Sequence, residues 1–89
     1  MYMTPQVRRV AVLLSRIPPG TPVKIDHVNV AAHAPVFNFV EVLEEMNTVR
    51  FKSPQSESEA IFPLDRILSV YEGIDSQTKR REWRVHYAP

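Results

Sequence analysis

Apolar residues recur at helical spacing through the first 17 residues of the chain. The repeating positions are Val7, Val10, Ala11, Leu14 and Ile17. Thr4 can accept a hydrogen bond from a free N–H group of a first helical turn, and Pro5 suits the first helical position. The run Pro18-Pro19-Gly20 stops such a helix. The pattern therefore predicts a helix over residues 5–17.

The next segment, residues 22–30, is rich in β-branched residues and predicts a strand. Val23 and Ile25 alternate with polar neighbours, after which the apolar phase shifts to Val28 and Val30. A phase shift inside a strand indicates a bulge or a bend.

Residues 36–46 fit either a helix or a strand. A helix would align five apolar residues on one face: Val36, Phe39, Val40, Leu43 and Met46. The β-branched and aromatic composition of residues 36–43 instead favours a strand. The adjacent acids at 44–45 would also oppose the dipole at the C-terminal end of a helix. The composition and the acids together favour a strand slightly.

The second half of the chain shows further strand patterns. Residues 48–52 alternate, residues 53–59 are polar, and residues 60–62 are apolar again, which predicts a β-hairpin. Residues 62–73 fit a short helix closed by Gly73, or a single turn at 63–66 followed by a strand through Val70. Trp83, Val85 and Tyr87 alternate with polar residues and predict a last strand.

Two architectures agree with these elements, and the 89 residues suffice for one domain over residues 1–89. The favoured one is α+β: an N-terminal helix packed on a small bent antiparallel sheet, or an open barrel that resembles the SH3-like and Sm-like barrels. The alternative is winged-helix-like, with helices at 5–17 and 36–46 before the hairpin.

Composition narrows the ways in which so short a chain can be stabilised. It has no cysteine, so disulfides are excluded, and His27, His33 and His86 lack metal-ligand spacing. We therefore expect neither a metal nor a cofactor, and we expect self-association as a homodimer. Arg8 and Arg9 interrupt the start of the chain before any apolar stretch, and no apolar run is long enough to span a membrane. A cytoplasmic location is expected.

The residues that could carry catalysis are few. The chain has only two glycines and so no glycine-rich phosphate loop, and its serines stand outside any nucleophile motif. Nothing adjacent marks His27 or His33 as a general base. The acids Glu41, Glu44 and Glu45 could bind a cation, although a solvated acidic face explains them as well. The sequence predicts that the protein is not an enzyme.

Charge is unevenly distributed although the formal net charge is only +1. Residues 1–34 carry four cations against one acid, residues 35–78 carry three against eight, and residues 79–89 carry four against one. Basic and aromatic side chains together are typical of single-stranded nucleic-acid binders. The C-terminal segment 79–87 therefore gives an alternative function, nucleic-acid binding. The residues that would contribute are Lys79, Arg80, Arg81, Trp83, Arg84 and His86.

The apolar segment 36–43 gives the leading function, a non-catalytic interaction domain that binds a second copy or another protein. Its side chains are apolar on more than one face, and we expect so small a fold to leave part of them uncovered as an interface. The proposed interface residues are Val36, Phe37, Phe39, Val40 and Val42. A fully buried central strand would explain the same pattern.

Overall fold

A computed structural model describes residues 4–27, 35–75 and 77–88. These residues form one α-helix, six β-strands and two single-turn 3₁₀ helices. In chain order they are α1 (Pro5–Leu14), β1 (Pro22–His27), β2 (Val36–Leu43), η1 (Glu44–Met46), β3 (Thr48–Lys52), β4 (Glu59–Pro63), η2 (Leu64–Arg66), β5 (Ile67–Ile74) and β6 (Arg81–Tyr87).

The predicted N-terminal helix begins as the sequence indicates and ends earlier. Thr4 Oγ1 accepts a hydrogen bond from the Val7 N–H at 3.2 Å, and Pro5 occupies the first turn. The helix stops at Leu14, where the Ser15 hydroxyl donates to the Ala11 carbonyl. A tighter turn then carries Ile17 into the core. Ile17 precedes Pro18, and helical geometry is disfavoured for a residue before a proline.

All six strands belong to one sheet in the order β4-β3-β2-β1-β6-β5. The predicted helix on a small bent sheet is confirmed. The sheet was predicted to be antiparallel and is mixed instead, because β1 and β6 run parallel while every other neighbouring pair is antiparallel. It does not close into a barrel. The predicted phase shift at Val28 and Val30 lies outside the described residues.

Residues 36–43 form a strand, so the helix of the winged-helix alternative is wrong. β2 is paired on both sides, with β1 and with β3, and a helix could not take part in either ladder. A register shift between Phe39 and Glu41 marks a β-bulge in this strand. The strand ends at η1, after which Asn47 adopts a left-handed conformation with φ of 56°.

The β3–β4 hairpin is confirmed, and the helix considered for residues 62–73 is wrong. The alternative is the one found: a single turn, η2, followed by the long strand β5. Leu64 in the turn is fully buried, and β5 pairs with β6 along its length. Tertiary pairing outweighs the helical spacing of this segment.

The core lies between α1 and the concave face of the sheet. α1 packs mainly on β5 and η2. The buried side chains form one cluster, as expected of a single domain. They are Val7, Val10, Ala11, Leu14, Ile17, Val23, Ile25, Phe39, Val49, Phe51, Leu64, Ile67, Val70 and Val85. No helix among the described residues has the length and apolar character needed to cross a membrane.

Candidate interaction surfaces

The five residues of the predicted apolar surface do not share one face. Phe39 is 4% exposed and belongs to the core, while Phe37 and Val42 are half-buried and pack against the core. Val36 is 39% exposed, and Val40, at the bulge, is half-buried. β2 is an interior strand, so its inward side chains are covered and only part of the predicted surface faces solvent.

The exposed part of this surface borders a cleft at the start of β2. Pro35, Val36 and Phe37 line it on one side, and residues 53–55 of the β3–β4 loop line it on the other. The cleft has a volume of about 420 Å³. It leaves one edge of the half-buried Phe37 within reach of a partner.

The pleat of β6 separates the basic and aromatic residues of the C-terminal segment. Trp83 faces inward and packs partly buried against the core. Arg84 and His86 face the opposite side of the sheet, where both contact Asp26. A nucleic-acid strand could therefore not stack on Trp83 and contact the Arg84 and His86 side chains on one face.

The outer face of β1 and β6 carries a network of ion pairs. Lys24 Nζ lies 3.3 Å from Asp75 Oδ2 and 3.1 Å from Glu82 Oε2. Arg84 Nε lies 2.8 Å from Glu82 Oε1, and its Nη1 lies 3.5 Å from Asp26 Oδ2. Hydrogen bonds from Arg84 and Lys24 lower the pKa of Glu82. The positive charge of Arg84 is thus already matched within the chain.

His86 completes this network without forming a catalytic relay. Its Nε2 lies 3.2 Å from Asp26 Oδ2 and 3.2 Å from the Tyr71 hydroxyl, and the Tyr71 and His86 rings meet edge to face. A relay needs one ring nitrogen for the carboxylate and the other for the nucleophile. Here a single nitrogen serves both contacts, so the arrangement orients the three side chains.

The loop between β5 and β6 carries two further cationic residues of the C-terminal segment, Lys79 and Arg80, and Arg81 follows at the start of β6. Asp75 Oδ1 accepts hydrogen bonds from the Gln77 N–H at 2.7 Å and the Thr78 N–H at 2.9 Å. These bonds, with a further one from Lys24, lower the pKa of Asp75 to about 2. Lys79 and Arg80 on this loop are exposed and form no ion pair among the described residues, whereas Arg81 lies 3.9 Å from Glu72.

A third surface, the free edge of β5, was not predicted from the sequence. β5 is an edge strand of eight residues, and it carries two exposed apolar side chains, Leu68 at 52% and Ile74 at 70%. The Gln6 side chain donates to the Leu68 carbonyl at 3.4 Å, so the start of α1 contacts the start of this edge. Leu64, Ile67, Leu68 and Tyr71 also fit helical spacing, so the sequence did not indicate an exposed strand edge here.

The metal-ligating residue types remain apart in the part of the chain that is described. No group of three or more acidic or histidine side chains there could hold a metal ion. Glu41 pairs with Arg50, while Glu44 and Glu45 line a separate cleft of about 370 Å³ beside Ser15. The side chain of His27 and all of His33 lie outside the described residues. No known protein-family model, curated protein or solved structure matches the chain.

Proposed function

We propose that this chain is a small non-catalytic interaction domain that self-associates as a homodimer. The observation that carries the proposal is the free edge of β5, a long strand with Leu68 and Ile74 exposed at opposite ends. An edge strand offers unpaired backbone groups to another strand, and folded proteins usually protect such edges with charge, proline or a covering element. β5 contains no proline and only one charged residue, Glu72, so its edge is weakly protected.

The opposite edge of the sheet is better protected against pairing. β4 has only five residues and ends at Pro63, which cannot donate a backbone hydrogen bond. Glu59 at its start pairs with Arg50 of the neighbouring strand, so charged groups flank the exposed Ile61. The contrast between the two edges supports β5 as the surface through which copies associate.

The predicted surface on β2 supplies a second place where copies could meet. Val36 and the accessible part of Phe37 border the cleft at the start of β2. This surface has no free backbone edge, because β2 is paired on both sides. It is therefore the alternative interface for the proposed homodimer. A substitution at Val36 should weaken the dimer only if the copies associate through β2 and not through β5.

Light scattering after size exclusion, over a range of protein concentrations, tests self-association directly. We expect a dimer whose population falls in Ile74→Lys, because a charge on an edge strand opposes pairing. Met46→Lys is the matched control, since Met46 is 66% exposed and lies on η1. Val36→Lys tests the competing surface. A strict monomer at high concentration of the unmodified chain would overturn the proposal.

A second candidate function is nucleic-acid binding through the β5–β6 loop. Lys79 and Arg80 are exposed, and the Asp75 hydrogen bonds order the turn that carries them. Such cations neutralise phosphates and produce strongly salt-dependent affinity. Trp83 would contribute little stacking, because it packs against the core.

Fluorescence anisotropy with single- and double-stranded DNA and RNA, at several salt concentrations, tests this candidate. The double variant Lys79→Gln with Arg80→Gln should weaken binding to every sequence. Arg8→Gln with Arg9→Gln removes the same charge from the exposed side of α1 and serves as the control. Absence of binding at low salt would exclude the candidate.

A further inference from the structure

We infer that two copies pair antiparallel through β5 around a two-fold axis beside Tyr71. Leu68 of one copy then lies opposite Ile74 of its partner, and the two six-stranded sheets become one continuous sheet. This inference rests on the proposed self-association and specifies its geometry. The occupant of the β5 edge is thus a second copy of the same strand.

Symmetry leaves few registers for such a pair. Side chains alternate between the two faces of β5 from Ser69 onward, after the β-bulge that contains Leu68, so a two-fold axis perpendicular to the sheet must place one residue opposite its own copy. An axis beside Val70 sets Leu68 opposite Glu72 and Ile74 opposite Arg66, so neither exposed apolar residue meets an apolar partner. An axis beside Glu72 sets two like charges opposite each other, which is destabilising.

The axis beside Tyr71 avoids both conflicts. It places the two most exposed apolar residues of the strand, Leu68 and Ile74, opposite each other at both ends of the junction. Glu72 then lies opposite Val70, and Ser69 lies opposite Gly73, where little side-chain volume has to be accommodated. Aliphatic cross-strand pairs of this kind stabilise a sheet.

Charges beyond the strand ends agree with antiparallel pairing of two copies. In an antiparallel pair the turn before β5 of one copy lies beside the loop after β5 of the other. That turn carries the exposed Asp65, which has no ion-pair partner among the described residues, and Arg66, which already takes part in an interaction within the chain. The facing loop carries the exposed Lys79 and Arg80. Opposite charges therefore meet on both sides of the axis.

The start of α1 limits which backbone groups join the ladder. Gln6 already bonds the Leu68 carbonyl, so the new inter-copy hydrogen bonds come from residues 69–73. Leu68 and Ile74 add side-chain contact at the ends of this short ladder. The interface is consequently small, and we expect a dissociation constant for the dimer in the micromolar range.

Single-cysteine cross-linking determines the register, because the natural chain contains no cysteine. Under mild oxidation Tyr71→Cys should form a disulfide-linked dimer by itself. Ser69→Cys and Gly73→Cys should each remain monomeric on reducing-agent-free gels and should link only when mixed. A Cβ at Gly73 would meet only the Tyr71 ring, at an ordinary 3.9 Å, so this variant should fold.

Each alternative has its own pattern of links. An axis beside Val70 would link Ser69→Cys with Tyr71→Cys, and an axis beside Glu72 would link Tyr71→Cys with Gly73→Cys. Either pattern overturns the inferred register. A dimer by light scattering that links through Val36→Cys and through none of the β5 positions would refute the β5 junction while sustaining self-association. A monomer would refute both.

Discussion

Phe62 of β4 packs against Tyr87 of β6 with ring centroids 4.9 Å apart, although three strands lie between β4 and β6 in the sheet. The sheet must therefore curl strongly, so that side chains of distant strands meet across its concave face. Phe51 joins the same aromatic group, with its ring centroid 5.7 Å from that of Phe62. These contacts hold the two halves of the open sheet together around the core.

A double-mutant cycle on this pair should reveal its contribution. Phe62→Leu and Tyr87→Leu should each lower the free energy of unfolding, and the coupling between them should be about 0.5–1.5 kcal/mol, the usual value for aromatic pairs. Equilibrium denaturation in urea of the four proteins gives the coupling. Strictly additive effects would show that the curl of the sheet depends on other contacts. The same cycle with Phe39→Leu in place of Phe62→Leu serves as a reference.

Local patterns in the sequence were enough to predict several elements of this fold. Thr4 and Pro5 determine where α1 starts, and polar residues 53–59 mark the tip of the β3–β4 hairpin. These features depend on neighbours close in sequence, so propensity and periodicity describe them well. The helix on a bent sheet followed from the same information.

The sheet order could not be predicted in this way. The parallel pairing of β1 with β6 joins Val23 to Trp83 across the length of the chain, and no short-range pattern specifies it. This pairing displaces β5 to an edge of the sheet and creates the surface on which the proposed dimer depends.

Composition predicted which residues form the candidate surfaces, but the fold places those residues on different faces of the sheet. Arg84 and Trp83 are adjacent in sequence, so the pleat places them on opposite faces. Asp26 then pairs with Arg84 from a strand far away in sequence. Charge runs in a sequence do not show which of their members are already paired in the fold.

Core packing of α1 should be sensitive at Leu14 and tolerant at Val12. Leu14 is fully buried against the sheet, whereas Val12 is exposed on the same helix. Leu14→Ala should lower the free energy of unfolding by about 2–5 kcal/mol, because it leaves a cavity. Val12→Ala should change it by less than about 0.5 kcal/mol. Urea denaturation compares the two, and equal losses would contradict the packing of α1 described above.

The N-cap of α1 should account for a further measurable part of stability. Thr4→Ala removes the acceptor of the Val7 N–H bond, and loss of a cap typically costs about 1 kcal/mol. Thr4→Ser keeps a hydroxyl at the same position and should restore most of the loss. If both variants unfold at the same denaturant concentration, the Thr4 hydroxyl does not cap the helix.

Trp83 should behave as a partly buried fluorophore. Its packing against the core predicts an emission maximum that moves to longer wavelength on unfolding and only partial quenching by iodide in the folded protein. Addition of a mixed oligonucleotide should leave the emission unchanged, even under conditions in which the β5–β6 loop binds it. Strong quenching by the oligonucleotide would instead identify Trp83 as a base-stacking residue.

Acid should destabilise the fold partly through Asp75. Backbone hydrogen bonds from Thr78 and Gln77, followed by the Lys24 side chain, lower its pKa from 3.8 to about 2. A carboxylate with a lowered pKa in the folded state contributes stability that is fully present above its unfolded pKa and is lost as pH falls through its folded pKa. This contribution should therefore disappear between about pH 4 and pH 2.

Denaturation midpoints measured from pH 6 to pH 2 should fall less steeply in Asp75→Asn, which keeps an acceptor for the two N–H groups but does not titrate. Glu45→Gln, at an exposed glutamate of η1, is the control and should follow the unmodified chain. A profile for Asp75→Asn that coincides with that of the unmodified chain would mean that Asp75 does not contribute to the acid sensitivity of this domain.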